Sequence, residues 1–444
     1  MPTATDGPVV DLLQQLIRNA CVNDGSADSG FELRSTDLLR SMIEGPGVDI
    51  ETYESRPGRG NLVARITGSD PQAPSLCLLA HTDVVPVQPA GWERDPFGGE
   101  LVDGVVWGRG AIDMLNLTAS MALAMRTLAD SGFRPKGDLI FAAVADEESG
   151  GNHGAKFLVE RHADAVRADY VITESGGMPL PTTDGTALPV LVAERGLVWP
   201  RITVRGTPGH GSLPYGTDNA LVKAAEVLRR ITSYRVPPRL TETWGEFIAG
   251  MGLPEEIAVL LRDPEQLDAT LDMLPPGLAK VAFSSTRTTL APTGMSTDNK
   301  TNVIPDRVRL QLDVRTIPGD TAEDVRAMLV DAIGDLAGDC EIDMGEEVPA
   351  TASPKDTPLW DAMERVARNT YVDGRLVPML MVGGTDNRYF RPAGAVGYGF
   401  GLYSREMSLD AIAAMAHGDN ERIDVESLRL ITELWPALAR DFLG

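Results

Sequence analysis

The chain has 444 residues, 43% of them hydrophobic, and a formal net charge of -24. That length allows two or three domains around a sizeable core. So acidic a balance excludes a nucleic-acid binder, which must neutralise phosphates with Lys and Arg. Three scattered cysteines, Cys21, Cys77 and Cys340, form no CxxC pair and fit a reducing compartment. The amino-terminal stretch MPTATDGPVVDLLQQLIRNA has no basic region followed by an apolar one, and reads as a capped amphipathic helix. No uninterrupted apolar stretch approaches the ~18 residues of a membrane span. A cytoplasmic protein with no membrane partner is expected.

Short apolar runs then alternate with helical patterns, the mark of an α/β sheet. The runs are SLCLLA (75–80), DLIFAAVA (138–145) and DYVIT (169–173), with the helical DMLNLTASMALAMRTLADSG between the first two. From about residue 197 the pattern changes. LVWPRITVRG reads as a strand and DNALVKAAEVLRRI as a helix. STRTTLAP and RVRLQLDVR follow as strands, TAEDVRAMLVDAIGDL as a helix and CEIDMG as a strand. That order, β-α-β-β-α-β, predicts a ferredoxin-like split βαβ unit. The Pro-rich, charged segment 233–282 reads as an insertion in this smaller unit. After EEVPATASPKD the larger domain resumes with PLWDAMERVARNTY, LVPMLMV and DVESLRLITELWPALARDF. The expected architecture is an α/β catalytic domain built from 1–196 and 350–444, with 197–349 inserted in it.

Each apolar run of the larger domain ends in polar residues of one kind. SLCLLA leads into His81-Thr82-Asp83, DLIFAAVA into Asp146-Glu147-Glu148, and DYVIT into Glu174. Ligands of open α/β sheets bind at the carboxyl ends of strands, so parallel neighbours would bring these side chains into one crevice. His81 and Asp83, two apart, share a face of an extended chain. An imidazole that binds metal through one nitrogen commonly donates from the other to a carboxylate, which suits Asp83. Taken singly, each feature has a plain alternative. HTD can be a surface hydrogen bond, the glutamate pair a solvated loop, Asp113 in WGRGAIDM a helix N-cap, and His417 in MAHGDNERI an exposed histidine. His153 and His162 read as surface residues on the helix after the glutamate pair.

Eight ordered blocks together are more specific: LLAHTDVVPV, WERDPFGGELVDGVVWGRGAIDM, ADEESGG, ITE, GTPGHGS, NVIPDRVRLQLDVR, GGTDNRYF and HGDNER. The set resembles the M20 family of metallopeptidases and amidohydrolases, which includes aminoacylases, desuccinylases, dipeptidases and glutamate carboxypeptidases. The resemblance implies a metal-dependent hydrolase of an amide or peptide bond in a small substrate with a free carboxylate. Its expected fold is a mixed-sheet zinc-hydrolase domain carrying a ferredoxin-like lid and dimerisation domain. It further implies that His81, Asp113, Glu148, Glu174 and His417 hold two divalent ions, with Asp113 shared. Imidazole and carboxylate donors without sulfur suit Zn2+, with Co2+ or Mn2+ also accommodated. Glu147 is then the general base, Asp83 the residue that orients His81, and His210 an oxyanion donor that reaches across a homodimer. Asn302 and Arg315 would bind the substrate carboxylate, with the turn Gly383-Gly384-Thr385 offering backbone N–H groups.

One departure stands out. Many relatives carry DMKGG where this chain has DMLNLTA, with Leu115 and Asn116, which leaves the ligands in place and alters their surroundings. A catalytically inactive metal-binding or regulatory relative is the competing reading. Such a protein is expected to lack Glu147 or a ligand.

Overall fold

The computed structural model describes residues 7–444. Helix Pro8–Asn19 follows Gly7 and buries Leu12, Leu13, Leu16 and Ile17. The first six residues of the expected helical stretch lie outside the described residues.

A ten-stranded mixed sheet forms the larger layer. Its strands run in the order Asp49–Glu54, Gly60–Ile66, Leu139–Val144, Leu76–His81, Tyr170–Thr173, Val396–Gly399 and Gly185–Glu194. Gly374–Met381 lies parallel to the last of these. Leu76–His81 is parallel to both Leu139–Val144 and Tyr170–Thr173, so the three runs end at the same edge of the sheet. Their continuous apolar character follows from burial on both faces. Leu76, Leu78 and Ala80 enter one core cluster, while Cys77 and Leu79 enter the other. Cys77, fully buried, is a core residue, as its position on the strand implies.

The second sheet has its own core. Strands Cys340–Asp343, Arg201–Arg205, Arg307–Thr316 and Thr289–Ser296 pair antiparallel in that order. Along Arg307–Thr316 exposed and buried residues alternate, as a sheet covered on one face requires. Val308, Leu310, Leu312 and Val314 meet Ala224, Val227 and Ile231 of helix Ala220–Ser233, and Val325 and Leu329 of helix Ala322–Ile333. The stretch LVWPRITVRG forms two strands rather than one, Gly196–Val198 and Arg201–Arg205, separated at Trp199-Pro200. Pro200 has no N–H to give to a ladder.

Segment 233–282 differs from its sequence reading. Trp244, Phe247, Ile248, Leu261 and Ala282 belong to the core of the larger layer, and helix Glu242–Gly250 packs on strand Gly374–Met381. Trp244 also donates from Nε1 to the Leu261 carbonyl at 2.8 Å. The insertion interrupts the smaller sheet in sequence and covers the larger one in space. Among the described residues, no helix is long and apolar enough to cross a membrane.

Candidate metal centre

Where the parallel strands end, their last side chains meet. His81 closes strand Leu76–His81, Glu174 follows Tyr170–Thr173, and Glu147 and Glu148 follow Leu139–Val144 after Ala145 and Asp146. Two further residues arrive from loops: Asp113 ahead of helix Leu115–Asp130, and His417 after helix Leu409–Met415. His81 Nε2 lies 3.1 Å from Asp113 Oδ1 and 3.8 Å from Glu174 Oε2. His417 Nε2 lies 3.3 Å from Asp113 Oδ2 and 3.1 Å from Glu148 Oε2. Two triads result, His81–Asp113–Glu174 and Asp113–Glu148–His417, each with ligand atoms within 4.8 Å of one another. Asp113 belongs to both and turns one oxygen to each.

The electrostatics fit a cation in each triad. Like charges ~4 Å apart at an effective dielectric of ~20 repel by about 4 kcal/mol. Burial pushes the Glu148 carboxyl up to about 8, and the neighbouring Asp113 charge adds to the shift. Glu174 is driven well above the usual carboxylate range by burial and then by Asp113. Asp113 moves the other way: burial would raise it, but hydrogen bonds from His417 and His81 hold it far below its ordinary value. Hydrogen bonds to Asp113 and Glu148 carry the His417 imidazole up to about 10. Glu148 Oε1 is buried without a hydrogen-bond partner. An oxygen orphaned inside an acidic cluster is the free donor that a metal ion would satisfy.

Unusual backbone conformations cluster at the same place. Asp146, Ser175 and His417 take positive φ of 71°, 68° and 59° although none is glycine. Such residues cost of order 1 kcal/mol or more each, and they cluster at functional sites. Asp146 precedes the glutamate pair, Ser175 follows Glu174, and His417 is itself in a triad.

Asp146, the first carboxylate of the DEE cluster, turns away from the cleft. Its Oδ1 accepts from Arg59 at 2.7 Å and from Asn23 Nδ2 at 3.1 Å, and Oδ2 accepts the His153 N–H at 3.0 Å. Arg59 also donates to both oxygens of Glu32, at 2.7 and 2.8 Å. Asn23 gives its other amide hydrogen to Asp83 Oδ2 at 2.9 Å. The Asp83 carboxylate accepts the N–H groups of Glu147 and Glu148, both at 3.2 Å. Asp83 therefore positions the glutamate turn with its side chain and His81 with its backbone. The His81 Nδ1 sits 3.0 Å from the Asp83 carbonyl and 3.6 Å from its carboxylate. A second brace lies under Asp113. Buried Glu421 accepts from the N–H groups of Ile112 and Asp113 at 2.7 and 3.0 Å and pairs with Arg109 at 2.7 Å.

A cleft of about 670 Å³ opens beside the triads and includes Glu147, Arg315, Gly383 and Gly384 in its lining. Glu147 Oε1 accepts from Arg388 at 3.0 Å, a contact with no signal in the sequence reading. Arg315 reaches the cleft with its fork on Asp313, at 2.7 and 3.0 Å. Of the expected substrate-binding and oxyanion residues, three stand apart from the lining. Thr385 is buried, and its N–H and hydroxyl both donate to Glu194, so it anchors the turn from behind. Asn302 and His210 are exposed on the two-strand pairing Gly209–His210 with Val303–Ile304. His210 Nδ1 accepts the Ser212 N–H at 3.1 Å, which leaves Nε2 as the donor. His153 and His162 are half-buried rather than free at the surface. The His153 Nδ1 meets Ser55 Oγ at 2.9 Å, and His162 packs on Tyr53.

Known proteins are similar to this chain over most of its length. Homo sapiens aminoacylase-1 is 27% identical over 445 residues, covering 97% of this chain and 95% of its own. Xenopus tropicalis N-fatty-acyl-amino acid synthase/hydrolase PM20D1 is 27% identical over 390 residues, covering 85% and 74%. The M20 family metallo-carboxypeptidase Sso-CP2 from Sulfolobus solfataricus shares the fold, with a TM-score of 0.72 at 17% identity over 98% of this chain and 99% of that one. Residues 77–441, which span both triads, match peptidase family M20/M25/M40, and the chain belongs to that family of hydrolases.

Proposed function

We propose that the protein hydrolyses the amide bond of a small substrate with a free carboxylate, an N-acyl amino acid or a dipeptide, using two divalent ions. The observation that carries this reading is the division of Asp113 between the His81–Glu174 and Glu148–His417 pairs. In this reading His81, Asp113 and Glu174 hold one ion, and Asp113, Glu148 and His417 the other. Zn2+ suits the nitrogen and oxygen donors, and Co2+ or Mn2+ could replace it. Ions bound there would supply Lewis acidity to water and to the scissile carbonyl.

The chain's own groups do the rest. Glu147, steadied by Arg388, takes the proton of the attacking water and passes it to the leaving amine. Arg315 and the Gly383-Gly384 turn line the cleft and hold the substrate carboxylate, and Asn302, which stands outside that lining beside His210, arrives together with that histidine. Residues 197–349 act as a ferredoxin-like lid and dimerisation domain on a catalytic domain formed by 1–196 and 350–444. The His210 Nε2–H serves as the oxyanion donor, delivered by a second copy of the chain. Next to His210, Leu213 is 72% exposed and Tyr215 wholly exposed, apolar surface that a homodimer would cover. The alternative, an inactive metal-binding or regulatory relative, is disfavoured because Glu147 and all five ligands are present.

Elemental analysis of the purified protein, combined with turnover of N-acyl amino acids and dipeptides, tests the proposal. Two equivalents of metal and metal-dependent release of an amino acid are expected. Glu147→Gln should lower kcat by roughly two to four orders of magnitude with metal content unchanged. A fully active Glu147→Gln variant removes that residue from the mechanism.

A further inference from the structure

We infer that the cleft beside the triads is an acyl-chain subsite that takes an aliphatic acyl group of medium or greater length. The inference deepens the proposed hydrolase reading and rests on it. It selects fatty N-acyl amino acids over dipeptides as substrates.

The cleft's volume lies within the ~300–1,000 Å³ of ligand pockets. Beyond the triads and the groups assigned to the substrate carboxylate, Arg315 and the Gly383-Gly384 turn, much of the lining is apolar. Leu191 and Met379 face it from the larger sheet, Leu409 and Ile412 from helix Leu409–Met415, and Val281 from helix Pro276–Ser285. Val281 and Met379 also border a small cavity of about 10 Å³ lined by Trp244 and Phe247. Both aromatics are 2% exposed, so the chamber ends against packed rings. The insertion thus acquires a task. Val281 brings it to the cleft, and Trp244 and Phe247 stand behind Val281 and Met379 around the small cavity.

Reach discriminates between the two substrate classes. A dipeptide carries its ammonium on the carbon next to the scissile carbonyl, beside the centre. The carboxylates that line the cleft are Asp113, Glu147, Glu148 and Glu174, all gathered at the centre, and Glu346, which is exposed at the rim. The apolar wall is left to the acyl group, and a dipeptide fills only what one amino-acid side chain can reach. A methylene chain continues along it. Burying each CH₂ contributes about 0.8 kcal/mol, or roughly fourfold in kcat/KM when its full benefit reaches the transition state.

The test is a series of N-acyl derivatives of one amino acid, from acetyl through hexanoyl to dodecanoyl, with matched dipeptides. We expect kcat/KM to climb roughly two- to fourfold per methylene and to level off once the chain reaches the Trp244–Phe247 wall. Val281→Trp and Ile412→Trp should each lower the decanoyl-to-acetyl ratio of kcat/KM by about tenfold or more. A binding arm uses the Glu147→Gln variant and calorimetry. The decanoyl compound should bind more tightly than the acetyl one, with a more negative heat-capacity change. Hydrolysis with a flat chain-length profile, or with dipeptides preferred, overturns the subsite and leaves the hydrolase reading intact. No hydrolysis of any compound overturns the hydrolase reading, and the binding arm alone then decides the subsite: equal affinity for the two compounds overturns it.

Discussion

Glu421→Ala should disable the metal centre although Glu421 is not one of its ligands. The side chain is fully buried, takes the N–H groups of Ile112 and Asp113 on one oxygen, and pairs with Arg109 on the other. Removing it strands the Arg109 guanidinium, itself 3% exposed, and frees the backbone that aims Asp113 into both triads. Breaking one side of a buried ion pair costs about 3–5 kcal/mol, a large part of the ~5–15 kcal/mol that stabilises a typical fold. Loss of a brace behind a ligand typically weakens metal binding by about 10- to 100-fold. The two effects separate in the double variant Arg109→Met, Glu421→Ala. The stranded charge is then gone and most of the stability returns, but the Ile112 and Asp113 N–H groups still lack an acceptor. Urea unfolding of the metal-free forms and zinc titration of each variant would measure both quantities. If the double variant binds zinc like the unaltered protein, or if Glu421→Ala is fully stable, Glu421 does not act in this way.

Other perturbations probe the remaining supports. Asn23→Ala removes the donor shared by Asp83 and Asp146 and should cost about 1–3 kcal/mol together with a clear loss of kcat. Asn23→Asp should be worse, because it sets a third carboxylate beside those two; a more stable Asp variant would contradict the network. Stability should also depend on pH in the metal-free form. Glu148 and His417 both have folded values above their ordinary ones, raised by burial to about 8 and by Asp113 and Glu148 to about 10. Their contributions are therefore complete only below the ordinary values of 4.5 and 6.5, and are lost as pH rises from there through about 8 and about 10. Chelator should lower Tm more at pH about 8.5 than at pH about 5, where protons stand in for metal; an equal fall at both refutes the assignment. Mixing His210→Ala with Glu147→Gln should restore activity through hybrid dimers. Proven heterodimers without activity would confine His210 to its own subunit or exclude it.

Much of the centre was legible because its signals are local. A buried strand needs a continuous apolar run, and a run that stops at His81, Glu147-Glu148 or Glu174 marks where the chain leaves the sheet. The family's ordered blocks then joined those points to Asp113 and His417, whose distance along the chain hides their proximity. Other features carry no such mark. Nothing beside Glu147 announces Arg388, 241 positions away, and nothing beside Asp146 announces Arg59 or Asn23. Asp146 and Glu147 look equivalent in DEES; a φ of 71° turns the first into the core and leaves the second at the cleft. Thr385 reads as part of a substrate loop until Glu194 takes both its hydrogen bonds.

The sequence by itself determined which residue types stand at the ends of which strands, because apolar periodicity and polar termination are written along a few neighbouring positions. Only the tertiary structure decided which of those residues meet in two triads, which brace them, and which side chains line the cleft. Those outcomes depend on contacts between residues 32 and 308 positions apart, such as His81 with Asp113 and Asp113 with Glu421, whose energies arise only when the sheet is assembled and water is excluded. The insertion shows the same division: its helices were legible as helices, but the choice of sheet to cover was made by the fit of Trp244, Phe247 and Val281 against strand Gly374–Met381.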